Sequence, residues 1–340
     1  MAAPCPDTPR SARPRDPSKS SAAEVRSDEL LPARCEDTPL LASPAIVPSV
    51  RGSRVSIVLV LLSTATLAGQ TPQALPQALT QMIETERAFA ARALAIGWKQ
   101  AFIEYFAPDA LGFDQGQVGL ARDQLAKAPD PPPDLQLIWE PRFGDISGGG
   151  DLGYLTGPVR NVRASRDGGK PRYSNYTSVW KRQRDGSFKV VMDVGINTPG
   201  PVSFAPGFTR APQANRFTGD YDDTTPPLGA ADGLLNAEIR RDQARAYRPN
   251  LTTSARLHRP STMPIVGDKR ILQWLATQPA FATADTRYTE AARSGDLGYS
   301  WGTYSTKGAG GATAGGFYVR IWVRERNGQW KLALDVLQPQ

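Results

Sequence analysis

Apolar positions recur at helical spacing from Leu75 to Phe106: Leu79, Met82, Ile83, Phe89, Ala90 and Ala93 fall on one stripe. Gly97 interrupts or kinks this helix before "WKQAFIEYF", which sets Trp98, Phe102, Tyr105 and Phe106 on a second stripe. Pro108 and Asp109 stop it, and a short helix over 118–127 follows. The period then changes to two. Strands are expected at about Leu135–Ser147, Leu152–Ala164, Arg172–Arg184 and Ser187–Ile196. Helices first and an antiparallel meander afterwards is an α+β pattern.

The meander is spelled twice. "GDLGY" occurs at 150–154 and again at 295–299, an offset of 145. Downstream, "YTSVWKRQRDGSFKVVMDVG" matches "YVRIWVRERNGQWKLALDVL". Tyr176, Trp180, Gly186, Lys189 and Asp193 correspond to Tyr318, Trp322, Gly328, Lys331 and Asp335 at a constant offset of 142. That many anchors in one order mark a tandem repeat. Asp185-Gly186 and Asn327-Gly328 predict two-residue type I′ hairpin turns. This pairing sets Trp180 opposite Val191, Ser178 opposite Asp193, Trp322 opposite Ala333 and Arg320 opposite Asp335. Tyr318, Arg320, Trp322, Arg324, Lys331 and Asp335 then share one face. Val319, Ile321, Val323, Leu332, Leu334 and Val336 make the other, wholly apolar one.

"ETERAFAARALAIGWKQAFIEYFAPDALGFD", then "GDLGY" with Gly157 after it, then "VWKRQRDGSFKVVMDVG" resembles the nuclear-transport-factor-2-like superfamily, in its SnoaL-like, ketosteroid-isomerase-like branch and its secreted bacterial members of unknown function. The resemblance implies tandem cone-shaped domains, each with helices packed on a curved antiparallel sheet and a pocket at the wide end. It divides the chain into a full first cone at 70–196, a linker at 197–230 and a second cone at 231–340. The second matches well only from Gly295; its opening is shorter and more basic and lacks the aromatic stripe.

Residues 1–50, rich in Pro, Ser, Ala and charge, read as a disordered leader or as sequence upstream of the natural start. Residues 51–69 carry the three parts of a secretory signal: Arg51 and Arg54, the apolar run Val55–Leu62, and small residues before a cut after Ala68. The run is short for a membrane span, which needs about 20 residues. Export to the periplasm or medium is expected, with an inner-membrane signal anchor as the alternative and no stable span after cleavage.

Composition narrows the chemistry. The two cysteines, Cys5 and Cys35, precede the signal, and His258 is the sole histidine. Thiolate catalysis, histidine-based metal centres and a His-Asp dyad in the first copy are thereby excluded; no metal and no cofactor are expected. The net charge is +7, and residues 197–340 hold +5 of it, spread thinly. That argues against a nucleic-acid partner. "GYSWG" at 298–302 fits a hydrolase elbow but lies within a strand, with no histidine downstream. "KGAGGATAGG" reads as a flexible hairpin loop, and His258 as a surface or capping residue.

Two carboxylates remain. The resemblance suggests Asp193 as a pocket base, with Tyr154 or Tyr176 polarising a carbonyl. The plainer reading, favoured here, is structural: Ser178 holds Asp193, and Arg320 holds Asp335. Trp98, Phe102, Tyr105, Trp139, Tyr154, Tyr176 and Trp180 are candidates to wall a site for a small apolar or aromatic ligand. The leading function is small-molecule binding or an accessory role in the envelope. A cofactor-free isomerase, lyase or hydrolase is the alternative, and a purely structural module the third reading. The third has the copies pair through their sheets, and the expected assembly is an intramolecular pseudo-dimer or a homodimer through them.

Overall fold

The computed structural model describes residues 75–114, 117–219, 227–307 and 313–340. The leader, the signal segment at 51–69, both cysteines and the start of the glycine-rich loop lie outside these. No helix among the described residues is long and apolar enough to cross a membrane.

The first half opens with α1 (Gln77–Ile96) and α2 (Trp98–Tyr105), separated by Gly97 at φ 86°. The expected stop at Pro108 comes early, because the chain is already extended in β1 (Phe106–Asp114). The expected helix over 118–127 is split into β2 (Gln117–Leu120) and α3 (Ala121–Lys127). The first long strand divides at Pro141 into β3 (Leu135–Trp139) and β4 (Phe143–Ile146). Then come β5 (Leu152–Arg163), β6 (Arg172–Arg182) and β7 (Phe188–Thr198). Where β3 bends into β4, the Glu140 carbonyl lies 1.9 Å from where a Cβ on Gly157 would sit, so only glycine fits there.

The second half repeats this order. It runs α4 (Leu228–Ile239), α5 (Gln243–Tyr247), β9 (Leu251–His258), β10 (Ile265–Val266), α6 (Asp268–Leu275), β11 (Phe281–Ala291), β12 (Leu297–Lys307), β13 (Thr313–Arg324) and β14 (Trp330–Pro339), with β8 (Thr209–Arg210) between the halves. The first sheet is ordered β2-β1-β7-β6-β5-β4-β8, and the second β10-β9-β14-β13-β12-β11. Each is antiparallel apart from a matching parallel pair, β1 with β7 and β9 with β14, and the short parallel pair of β4 with β8 in the first. The molecule is thus α+β, two curved sheets each carrying a few helices. The segment at 197–230 is partly tied down: β8 pairs with β4, and the Phe217 amide donates to the Arg324 carbonyl at 2.9 Å.

Two local departures from expectation cancel. Gly186 and Gly328 have φ of 84° and 82°, but Asp185 and Asn327 do not have positive φ. The Gly186 amide donates to the Gln183 carbonyl at 3.0 Å and the Gln183 amide to Ser187 at 2.7 Å, so the turn is a three-residue type I loop closed by a left-handed glycine. This shifts the pairing by one, and Trp180 lies opposite Val190, not Val191. A bulge at Val191 then shifts it back, and Ser178 does face Asp193. The second half does the same: Trp322 pairs with Leu332 rather than Ala333, while Arg320 keeps Asp335. Leu332 therefore leaves the apolar outer face and packs with Trp322 in the core of the second half, and Lys331 leaves the aromatic one, pairing with Val323.

The rest of that apolar face meets the first sheet. Val319, Ile321, Leu334 and Val336 belong to the same buried cluster as Val179, Val191 and Val194. The repeated motif makes the contact reciprocal. Asp151 accepts from the Arg293 amide at 3.1 Å, and Asp296 accepts from the Gly148 amide at 3.0 Å. Residues 148 and 293 are one repeat apart, as are 151 and 296, so each acid clasps the equivalent turn of the other half, as across a two-fold axis. His258, expected at the surface, is buried in this contact beside Asn175 Nδ2 at 3.3 Å and Thr177 Oγ1 at 3.4 Å. Burial, with the cations Arg256 and Arg259 nearby, lowers its pKa to about 3, so the ring is neutral.

Candidate functional site

Alternation along β6 sends Asn175, Thr177 and Val179 towards the second half, and Tyr176, Ser178 and Trp180 towards α1. The residue they meet on α1 is Glu86, which no reading of motifs picked out. It is fully buried. Trp139 Nε1 and Ser178 Oγ each donate to it at 2.7 Å, and Trp180 Nε1 at 2.8 Å. Burial pushes the Glu86 carboxyl up, and those three hydrogen bonds offset only part of the effect. The signal for it lay in the helix pattern. Position 86 is three, four or seven residues from Leu79, Met82, Ile83, Phe89 and Ala93, so a carboxylate sits in the middle of an apolar stripe.

Because Ser178 is committed to Glu86, it does not hold Asp193. The expected pair shares a register position but no hydrogen bond. No group among the described residues donates to Asp193, which is half-buried on β7. It faces a cavity of about 140 Å³ walled by Phe89, Phe102, Leu137, Trp139 and Val159 and floored by Tyr176. Burial, reinforced by the charge of Glu86, pushes the Asp193 carboxyl well above the ordinary range. The Tyr176 hydroxyl is also buried without a partner, and burial, then Glu86 and Asp193, raise its pKa as well. A carboxyl and a phenol thus stand free in a chamber that is apolar apart from Ser174, an arrangement able to orient one polar group of a ligand or to move a proton.

The other expected wall residues scatter. Phe102, Trp139 and Tyr176 line the cavity. Tyr105 lies behind it, stacked on Phe89 with ring centroids 4.8 Å apart. Trp98 packs edge-on to Phe102 and lines a separate cleft beside Pro131–Pro133. Trp180 is a buried anchor of Glu86. Tyr154 is on the opposite face of its sheet, towards the second half.

In the second half the equivalent groups are all engaged. Arg320, standing where the first half has Ser178, is fully buried; its Nε donates to Asp335 and its Nη1 to Asp232 on α4, both at 2.8 Å. Arg259 also pairs with Asp335 at 2.7 Å, and the Tyr247 hydroxyl donates to it at 2.8 Å. Burial alone would raise the Asp335 carboxyl, but Arg259 and Arg320 outweigh it and hold it below the usual range. The Tyr318 hydroxyl, free in its counterpart Tyr176, donates to Asp232 at 2.7 Å. Ser300 of the "GYSWG" stretch lies in β12 and donates to the same acid at 2.9 Å, which leaves it no nucleophilic role. The expected Arg320–Asp335 pair is therefore present, inside a larger network.

No family model matches this chain, and neither does any curated protein. Solved structures with a similar fold over part of the chain include three bacterial proteins. One is described as a putative ketosteroid isomerase from Parabacteroides distasonis, at 10% identity over 36% of this chain and 94% of that one, with a TM-score of 0.30. Another is a nuclear transport factor 2-like superfamily protein from Salmonella enterica, at 10% identity over 33% and 87%, TM-score 0.28. The third, from Mycobacterium tuberculosis and in complex with estradiol-17β-hemisuccinate, has 13% identity over 33% and 92%, TM-score 0.28.

Proposed function

We propose that the first half of the chain binds a small, largely apolar molecule, with Asp193 and Tyr176 as its polar contacts. The observation that carries this is the unpartnered Asp193 carboxyl opening onto an apolar cavity beside an unpartnered phenol. A purely structural acid would have a donor, as Asp335 does. The volume, about 140 Å³, is below the roughly 300–1,000 Å³ of drug-sized sites and close to the ~150 Å³ that accepts benzene in an engineered core. The ligand is accordingly about one ring in size. A second reading, proton transfer by a cofactor-free isomerase, lyase or hydrolase, is favoured by the unpartnered Asp193 carboxyl in the cavity, which burial raises above the ordinary range and so makes a stronger base.

Substituting Asp193→Asn tests both. No hydrogen bond is lost, and a buried charge disappears, so the variant should be more stable than the parent at pH 7 by about 1 kcal/mol, the usual yield of relieving a functional site. The sign follows from linkage. A carboxyl raised in the fold contributes stability that is full below its ordinary value of 3.8 and is lost as the pH rises through the folded value. The advantage of the variant should then shrink as the pH falls towards 4. Tyr176→Phe should weaken binding of phenol, used as the probe, by roughly tenfold, the worth of one hydrogen bond. Turnover, where a substrate is found, should vanish in Asp193→Asn. A variant destabilised at every pH would return Asp193 to a structural role.

This role is placed outside the cytoplasm, on the strength of the leader pattern at 51–69. Fractionation of the producing cells should yield a species beginning near Gly69 in the periplasm or medium. Recovery of only the uncut chain from the cytosol would end that assignment.

A further inference from the structure

A second cavity, also about 140 Å³, lies between the two halves. Phe143 and Tyr154 reach it from the first sheet, Arg216 from the connecting segment, and Leu251, Thr252 and Val323 from the second half. Three donors of its lining have no acceptor. The Tyr154 hydroxyl, Arg216 Nη2 and Thr252 Oγ1 are all buried with no hydrogen-bond partner. Tyr154 is fully buried and Arg216 is 8% exposed, so water outside the fold does not satisfy them. Buried donors left unmade are costly, at about 1–3 kcal/mol each, and their convergence on one cavity calls for an acceptor there.

Charge says which kind. Arg216 bridges Asp145 and Asp296, and Arg210 also holds Asp145. Those two cations and two anions balance. Arg324 and Glu325 line the cavity together and balance again. Arg256 is left over. Its guanidinium lies 4.0 Å from the Phe143 ring centroid and 5.2 Å from that of Phe204, its Nε has no hydrogen-bond partner, and no carboxylate among the described residues pairs with it. The site therefore presents three unsatisfied donors, has the unpaired cation Arg256 stacked on Phe143 of its wall, and offers apolar surface from Phe143, Leu251 and Val323.

We infer that the cavity between the halves binds a small monocarboxylate, its oxygens on Arg216 Nη2, Tyr154 Oη and Thr252 Oγ1 and its apolar end against Phe143, Leu251 and Val323. This site is separate from the Asp193 chamber, and neither reading depends on the other. It also gives Tyr154, which the sequence marks as a ligand contact, a place in a different site from the one expected.

Calorimetric titration of the chain with sodium acetate, propionate and benzoate at constant ionic strength tests this, with propionamide as the neutral control. Propionate should bind saturably at one site. The affinity should fall at least tenfold in Tyr154→Phe, which removes only a hydroxyl that has no protein partner and so leaves the fold intact, and propionamide should bind at least tenfold more weakly. Asp193→Asn should leave propionate binding unchanged; a loss there would place the carboxylate in the other chamber and overturn the inference. So would the absence of saturable binding by all three acids, equal binding of propionamide, or a propionate-soaked crystal with ordered water only in the cavity.

Discussion

Replacing Arg320 by methionine should cost the fold about 3–5 kcal/mol, the usual penalty for removing one partner of a buried ion network. Arg320 is the cation between Asp232 and Asp335, and neither acid has water to turn to. Asp335 keeps a second cation, Arg259, whereas Asp232 keeps neutral donors such as Tyr318 and Ser300, so Asp232 suffers more. The double variant Arg320→Met with Asp232→Asn should therefore recover part of the loss. Denaturant midpoints with an unchanged slope would measure both. A loss below about 1 kcal/mol for the single variant would mean that the network is solvated. The pH dependence has a definite sign. Asp335 is held below its ordinary value of 3.8, so its contribution is present above that value and is lost as the pH falls through the folded one.

Glu86→Leu should be nearly as damaging, at about 3 kcal/mol or more. Two indole N–H groups and a serine hydroxyl converge on that carboxylate in a dry core. Leucine offers none of them an acceptor, and each orphaned donor costs about 1–3 kcal/mol, although Trp180 keeps Ser178 Oγ at 2.9 Å. Glu86→Gln retains one acceptor oxygen and should cost about half as much. Like Asp193, Glu86 is raised in the fold, so its contribution is full below its ordinary value of 4.5 and is lost as the pH rises through the folded value. The parent should thus gain stability from neutrality towards mild acid, and Glu86→Gln, which cannot titrate, should show less of that gain. If Glu86→Leu unfolds at the parent's denaturant midpoint, Glu86 is not the anchor of this core.

The repeat and the hydrophobic alternation were enough to expose the α+β architecture and its two matching meanders, since both rest on residue spacing alone. The strand at Phe106–Asp114 was hidden because Pro108 and Asp109 read as a helix stop and nothing nearby alternates. It pairs antiparallel only with the short β2 beside it, and its other partner, β7, is parallel and distant in the chain. The turn type was misread because Asp-Gly and Asn-Gly serve either a two-residue loop or a type I loop closed by glycine. The bulge at Val191 could not be read at all, being a tertiary accommodation within the apolar run Val190–Met192. The repeat and the resemblance single out Asp193 and Tyr176, which line one cavity, but Ser178 bonds Glu86 and not Asp193. Facing residues across a strand pair are not always bonded, and α1 supplied a better acceptor. His258 reads as a surface residue because its neighbours are charged, yet Arg256 stacks on Phe143 of the first half and Arg259 turns inward to Asp335.

The reciprocal clasp of Asp151 and Asp296 has a consequence for how this molecule can change. Two identical subunits meeting across a two-fold axis share one gene, so any substitution that fills a chamber fills it twice. Here the two faces are encoded separately. One position can be serine and leave Asp193 open to a visitor, while its counterpart is arginine and closes on Asp335. One half is free to accumulate stabilising charge pairs while the other keeps the unpaired carboxyl that the proposed binding needs. A new specificity can then be tried in the first chamber while the second half goes on bracing the sheet behind it.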